Sequence, residues 1–325
     1  MNTYKWLLKR EFWEHKGGFF WTPAVVGALM TIFLAISMTI GITVKNHHGM
    51  QINGEQVTNL GKIVSAEEKA QIVTAISQGY VGTSAPLWFV MAFVVFFFCL
   101  GCLFDERKDR SVLFWKSLPL SDTQTVLAKV VAGIVLAPAL AVLGMIVLQL
   151  GFLILFTLYA AVHGINALPY LWSPTHLVAM WLKLAVLIPV NALWALPTMG
   201  WLLLCSSFAR SKPFLWAVML PIVVGVMITW MQLMQSFSLH SGWFWRHVVG
   251  RLLLSLIPES WINLDSLRAL EHANADPGIA LSNLLSFGAI ADQFASPNFL
   301  IGVAAGAIMI AAAIWLRRSR VEAYA

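Results

Sequence analysis

Six long apolar runs separated by polar segments set the pattern of this 325-residue chain: about Phe19–Val44, Ala85–Phe104, Val126–Tyr159, Leu177–Phe208, Phe214–Phe237 and Asn298–Leu316. A bilayer core is about 30 Å thick, and roughly 20 apolar residues of helix cross it. Every run meets that length, and the third and fourth exceed it, so they are expected to tilt or to project into water. Lipid offers nothing to hydrogen-bond a bare backbone, so helices are the expected spanning form. The pattern therefore predicts an all-α polytopic membrane protein with six transmembrane helices.

Composition agrees, with 59% hydrophobic and 11% charged residues. The net charge of +6 matters less than its distribution. Of the 21 Lys and Arg residues, 14 lie in the N-terminal segment, in the segments after the second and fourth runs, and at the C-terminal end. Basic residues favour the cytoplasmic side, which puts both termini in the cytoplasm. Topology thus accounts for the basic balance, and no nucleic-acid partner is expected. The first apolar run is too long for the hydrophobic region of a cleavable signal peptide. Cys99, Cys102 and Cys205 sit in or near predicted spans, where small apolar packing is a better account than a disulfide or redox pair.

Residues 1–18 carry Lys5, Lys9 and Lys16 on one helical face flanked by Trp6 and Trp13, while Glu11 and Glu14 interrupt the apolar side. This predicts an interfacial elbow helix, with Gly17-Gly18 turning into the six-span domain 19–325. Two extracytoplasmic segments are expected, 45–84 and 238–297. The first contains His47-His48, adjacent and lacking a third metal ligand, and a short helix over Ala66–Ser77. The second contains Val248–Ile257, too short to cross, which predicts re-entrant or interfacial packing ended by Pro258. The uncharged aromatic loop His163–His176 is expected at the outer interface.

The densest chemistry lies between the second and third runs. Nine of the 36 charged residues fall within Asp105–Lys129. Asp105 to Arg110 mark the water boundary, and Ser111–Leu118 predicts two helical turns. Pro119 ends them by pushing Leu118 out of the helical region. Ser121-Asp122-Thr123-Gln124 is a capping box opening the third span. Phe114 and Trp115 are unusual in a loop: the pattern fits aromatic anchors at a membrane interface and anchors in a partner's groove equally well.

This hairpin, 105–124, resembles the intracellular loop of type-two ABC exporter permeases. The shared features are Glu106, Ser111, the turn Ser117-Leu118-Pro119-Leu120-Ser121, and Lys129. The resemblance implies a coupling helix that docks on a separate cytoplasmic ABC ATPase dimer. The interface would be made by Glu106, Arg110, Ser111, Val112, Phe114, Trp115, Lys116, Leu118 and Pro119. It further implies a second permease subunit, identical or homologous, and a location in the bacterial inner membrane among its lipids. ATP and Mg²⁺ would sit on the ATPase, with no cofactor, metal or catalytic residue on this chain. In keeping with that, the one Gly-Lys pair, Gly61-Lys62, has Gln56 where a phosphate loop needs its first glycine.

Two rivals belong to other classes. Asp105-x-x-x-Asp109 has the spacing with which membrane prenyltransferases hold Mg²⁺ on a diphosphate. It has no companion motif and is interleaved with Arg107, Lys108 and Arg110. An ion-coupled secondary carrier needs an ionisable group within its spans. No acid lies inside a predicted run, and Lys183 is close enough to an end to snorkel.

Overall fold

A computed structural model describes residues 3–48, 51–52, 55–56, 85–162, 172, 174–234, 241–258, 260, 288, 291 and 294–319. Six helices are long and apolar enough to cross a membrane: Gly17–Ser37, Ala85–Lys108, Asp122–Tyr159, Trp181–Phe208, Pro213–Leu233 and Pro297–Ser319, here spans one to six. The protein is a multi-pass, helical membrane protein. Among the described residues the exception to helix is a small antiparallel pair, Gln51–Ile52 with Glu55–Gln56. The expected helix Ala66–Ser77 lies outside the described residues, as does nearly all of the loop 163–176.

An N-terminal helix, Thr3–Glu14, precedes span one. The glycine pair does not break the chain there; Gly17–Trp21 forms a π-helical turn that runs straight into Thr22–His48. A second π turn, Ala132–Leu136, sits in span three. Each lies two residues before a proline, Pro23 and Pro138. Proline lacks the backbone N–H of an ordinary helical turn, and widening the preceding turn accommodates that loss.

The chain forms two compact units, and spans one to four each contribute one part to each. The first unit holds residues 1–19, 91–138 and 187–325. Its core contains Phe19, Val126, Ala132, Met199, Leu202 and Leu203, all fully buried. Phe98 meets Phe19 edge-on at 5.0 Å and His15 at 4.7 Å. Cys99 and Cys102 are buried free thiols in this core, and the Cys102 thiol donates to the Cys99 carbonyl. Spans four and six cross closely: a Cβ on Gly200 would lie 2.6 Å from the Gly306 carbonyl oxygen, and one on Gly306 would lie 2.6 Å from the Leu196 backbone. Small residues are what allow two helix backbones so near each other.

Residues 241–253 are helical, with a π turn at Trp245–Val249, and so include the first part of the apolar run Val248–Ile257 predicted not to cross. It docks on span five, where the Trp245 ring fills the space left by Gly225 and its Nε1 donates to Thr229 at 3.0 Å. Further along, Thr198 of span four donates to the Arg251 carbonyl at 2.8 Å, and the Ser255 amide donates back to Thr198 at 3.1 Å. These bonds satisfy backbone groups that an irregular segment would otherwise leave exposed.

The second unit holds residues 20–90 and 139–186. Leu153 and Leu177 form its small core with Phe152, Phe156 and Trp181. Buried Gln149 accepts from Trp181 Nε1 at 3.0 Å, and Thr157 accepts from Trp172 Nε1 at 2.9 Å. Lys183 is exposed on span four.

Candidate functional site

Span two ends at Lys108, and Arg110 then takes a left-handed conformation, φ 58°, which turns the chain back. A short helix follows over Ser111–Ser117. The Ser111 hydroxyl donates to the Glu106 carbonyl at 3.3 Å, tying the new helix to the old one. Leu118 is extended, φ −85° and ψ 152°, as the following proline requires. The capping box is present in both directions: the Gln124 amide donates to Ser121 Oγ at 3.1 Å, and the Ser121 amide to Gln124 Oε1 at 3.2 Å. Helix, break, short helix, break and helix thus follow each other as the residue pattern expects.

The short helix has two unlike sides. Phe114 is 61% exposed, and Leu113, Leu118, Pro119 and Arg110 are exposed with it. Val112 is buried. Trp115 is half-buried, with the Arg10 guanidinium 4.1 Å over its ring and Phe114 edge-on at 5.2 Å. The expected interface set therefore divides. Arg110, Phe114, Leu118 and Pro119 are presented, while Ser111, Trp115 and Lys116 are half-buried. Val112 and Glu106 are turned inward.

Behind the short helix lies a cluster of buried ions. Lys129 in span three, 1% exposed, reaches Glu11 of the N-terminal helix at 3.1 Å and Glu106 at 3.0 Å. Glu11 is fully buried and also pairs with Arg10. Arg317 of span six reaches Glu106 at 2.6 Å and Asp122 at 3.0 Å. Lys116 of the short helix pairs with Asp122 at 3.6 Å. Each carboxylate has at least one cation at hydrogen-bonding distance, which is the condition under which buried charge is tolerated. The cluster joins the N-terminal helix, the ends of spans two, three and six, and the short helix.

Span four is tied in separately. The Arg107 guanidinium donates to the Ser206 carbonyl at 2.6 Å and the Ala209 carbonyl at 2.9 Å, capping that helix end. In return Ser206 Oγ accepts from the Leu103 and Phe104 amides, 3.2 and 3.0 Å away, where span two is briefly irregular.

Glu11, Arg10, Asp122 and Arg317 were not among the residues expected here. Glu11 reads in sequence as an interruption of an apolar face; in three dimensions it faces Lys129. Glu14, three residues on in the same helix, is exposed, so local sequence alone does not separate the two acids. Asp105 and Asp109 are exposed, and neither joins a group of three ligating side chains among the described residues. Glu11, Glu14 and His15 do form such a group, within 4.8 Å. Arg10 and Lys129 already neutralise its buried carboxylate, which weakens any attraction for a cation. The side chains of His47 and His48 lie outside those described.

Comparison with known protein families, curated proteins and solved structures finds no match to this chain. Function must therefore be argued from the chain's own residues.

Proposed function

We propose that this chain is the permease subunit of an ATP-driven ABC exporter. It would move an apolar or amphipathic substrate across a bacterial inner membrane, with both termini and the hairpin 105–124 in the cytoplasm. A separate ABC ATPase dimer supplies the energy and holds ATP and Mg²⁺, and a second permease subunit completes the pathway. The observation that carries this reading is the two-sided short helix. Its outer side leaves Leu113, Phe114 and Leu118 uncovered by the chain itself, an apolar patch suited to a partner's groove. Its inner side is braced by Trp115 on Arg10 and by Lys116 on Asp122, within the ion cluster. Movement imposed on Phe114 passes to spans two, three and six through charges that separate only at high cost.

The test is the double change Leu113→Ala, Phe114→Ala. Both side chains are exposed, so the permease should fold and insert as before. Each anchor at a hot spot contributes about 2 kcal/mol, tenfold or more in affinity, so the ATPase should no longer co-purify. Unchanged co-purification and unchanged substrate-stimulated hydrolysis would refute the docking role. Failure of any ABC ATPase to co-purify with the wild-type chain would remove the reading as a whole.

Topology has its own check. The three native cysteines are buried, so background labelling should be low. With Gln56→Cys, an impermeant thiol reagent should react in intact cells. With Asp109→Cys it should react only after permeabilisation. Labelling of Asp109→Cys from outside contradicts the orientation.

A further inference from the structure

Arg251 is the one charged residue within the apolar stretch Val248–Ile257. Its guanidinium lies 3.5 Å over the Trp194 ring. Nη1 makes one long contact to Ser255 Oγ at 3.4 Å. Nη2 is buried and has no hydrogen-bond partner. Among the described residues no carboxylate pairs with this side chain, in contrast with Lys129 and Arg317. Burial pushes its pKa down to about 10, still well above neutrality, so the charge persists.

The setting is built rather than incidental. Gly302 leaves the space the guanidinium occupies, and a Cβ there would overlap Nη2. The Arg251 carbonyl accepts from the hydroxyls of both Thr198 and Ser255, each at 2.8 Å. The preceding π turn, Trp245–Val249, sets the register that aims residue 251 at spans four and six. Next to the cation lies an apolar cluster of Leu187, Val190, Trp194 and Phe299, with Trp194 and Phe299 stacked at 6.3 Å. An aromatic face offsets part of the cost of burying a guanidinium, but it leaves the forked N–H donors unanswered. An ionisable residue held in an apolar setting against membrane spans is a functional-site candidate.

We propose that Arg251, seated in the Gly302 notch, is the recognition point for a single phosphate or carboxylate on an anionic amphiphile whose apolar part lies along the Trp194–Phe299 cluster. Nη2 offers such a group an unanswered charge-assisted donor, Nη1 can join it by leaving its long contact to Ser255, and the aromatic cluster flanks the hydrocarbon chain. A membrane lipid headgroup and a free anion share this chemistry. The inference needs no ATPase, so it stands or falls apart from the exporter reading.

The experiment titrates the purified full-length chain in neutral detergent and follows its thermal unfolding. Phosphatidylglycerol, phosphatidylcholine of the same acyl chains, and inorganic phosphate are the three probes. Arg210→Gln, in an exposed loop, is the control for general attraction of anionic lipid to basic residues. Phosphatidylglycerol should raise the Tm of wild type and Arg210→Gln alike, and phosphatidylcholine should not. Arg251→Gln should weaken that response about tenfold, the order expected for a lost charge-assisted hydrogen bond. Arg251→Lys, which keeps the charge without the fork, should fall between. Gly302→Ala displaces the guanidinium while retaining it, and should also weaken the response. These last two carry the comparison if Arg251→Gln does not fold. An equal response to phosphate alone identifies a free anion as sufficient, and a response only to phosphatidylglycerol identifies the amphiphile. An identical phosphatidylglycerol response in wild type and the Arg251 and Gly302 variants overturns the proposal, leaving Arg251 a packing residue.

Discussion

Lys129→Met should lower the stability of the folded protein by about 3 kcal/mol, near the lower end of what breaking a buried ion pair costs. The change leaves Glu11, fully buried, with Arg10 and a distant His15, and leaves Glu106 leaning on Arg317. Those remaining cations are why the loss should not reach the upper end of the range. Methionine matches the lysine stem in volume, so the effect reads the charge and not a cavity. Adding Glu11→Gln should then recover part of the loss, because the second change removes the stranded carboxylate. The coupling between the two positions should be at least about 1 kcal/mol. Thermal unfolding of the two single variants and the double variant in one detergent measures it. A Lys129→Met protein as stable as wild type would dismiss the cluster as a structural joint.

Gly306→Leu should abolish the folded protein, and Gly306→Ala should lower its Tm. Alanine normally stabilises a helix interior by about 1 kcal/mol relative to glycine. At Gly306 the added carbon lies 2.6 Å from the Leu196 backbone, which cannot swing aside as a side chain can. Overpacking of this kind costs about 1–3 kcal/mol, so the clash outweighs the helical preference. Gly27→Ala is the matched comparison, since nothing lies within 4 Å of a Cβ there. It should be neutral or slightly stabilising. If both alanine variants shift Tm in the same direction by similar amounts, close approach of spans four and six is not what Gly306 provides.

Much of this architecture could be read along the chain, because a membrane span depends on a run of neighbouring residues. Each of the six apolar runs coincides with one long apolar helix in the structure. Pro119 and the Ser121–Gln124 box act within four residues, and they appear as expected. The ion cluster is of another kind. Glu11 and Lys129 are 118 positions apart, and Glu106 and Arg317 are 211 apart, so no local periodicity links them. The same limit explains Trp115. Its type marks it as an anchor, but whether it faces a partner or its own chain depends on Arg10, which only folding brings to it. Arg251 was visible as a lone charge in an apolar stretch, while its notch depends on a glycine some fifty residues later.

The clasp around Glu106 also has an order in time. During synthesis Glu11 is made before Lys129, its partner across the cluster, which arrives with span three. Glu106 and Asp122 are then in place, but Arg317, which contacts both, emerges only with span six. Until then two acids lie at the ends of spans two and three with part of their neutralising charge missing. The clasp therefore closes last from its C-terminal side, and the ends of spans two and three reach their final charge balance only when span six is in place.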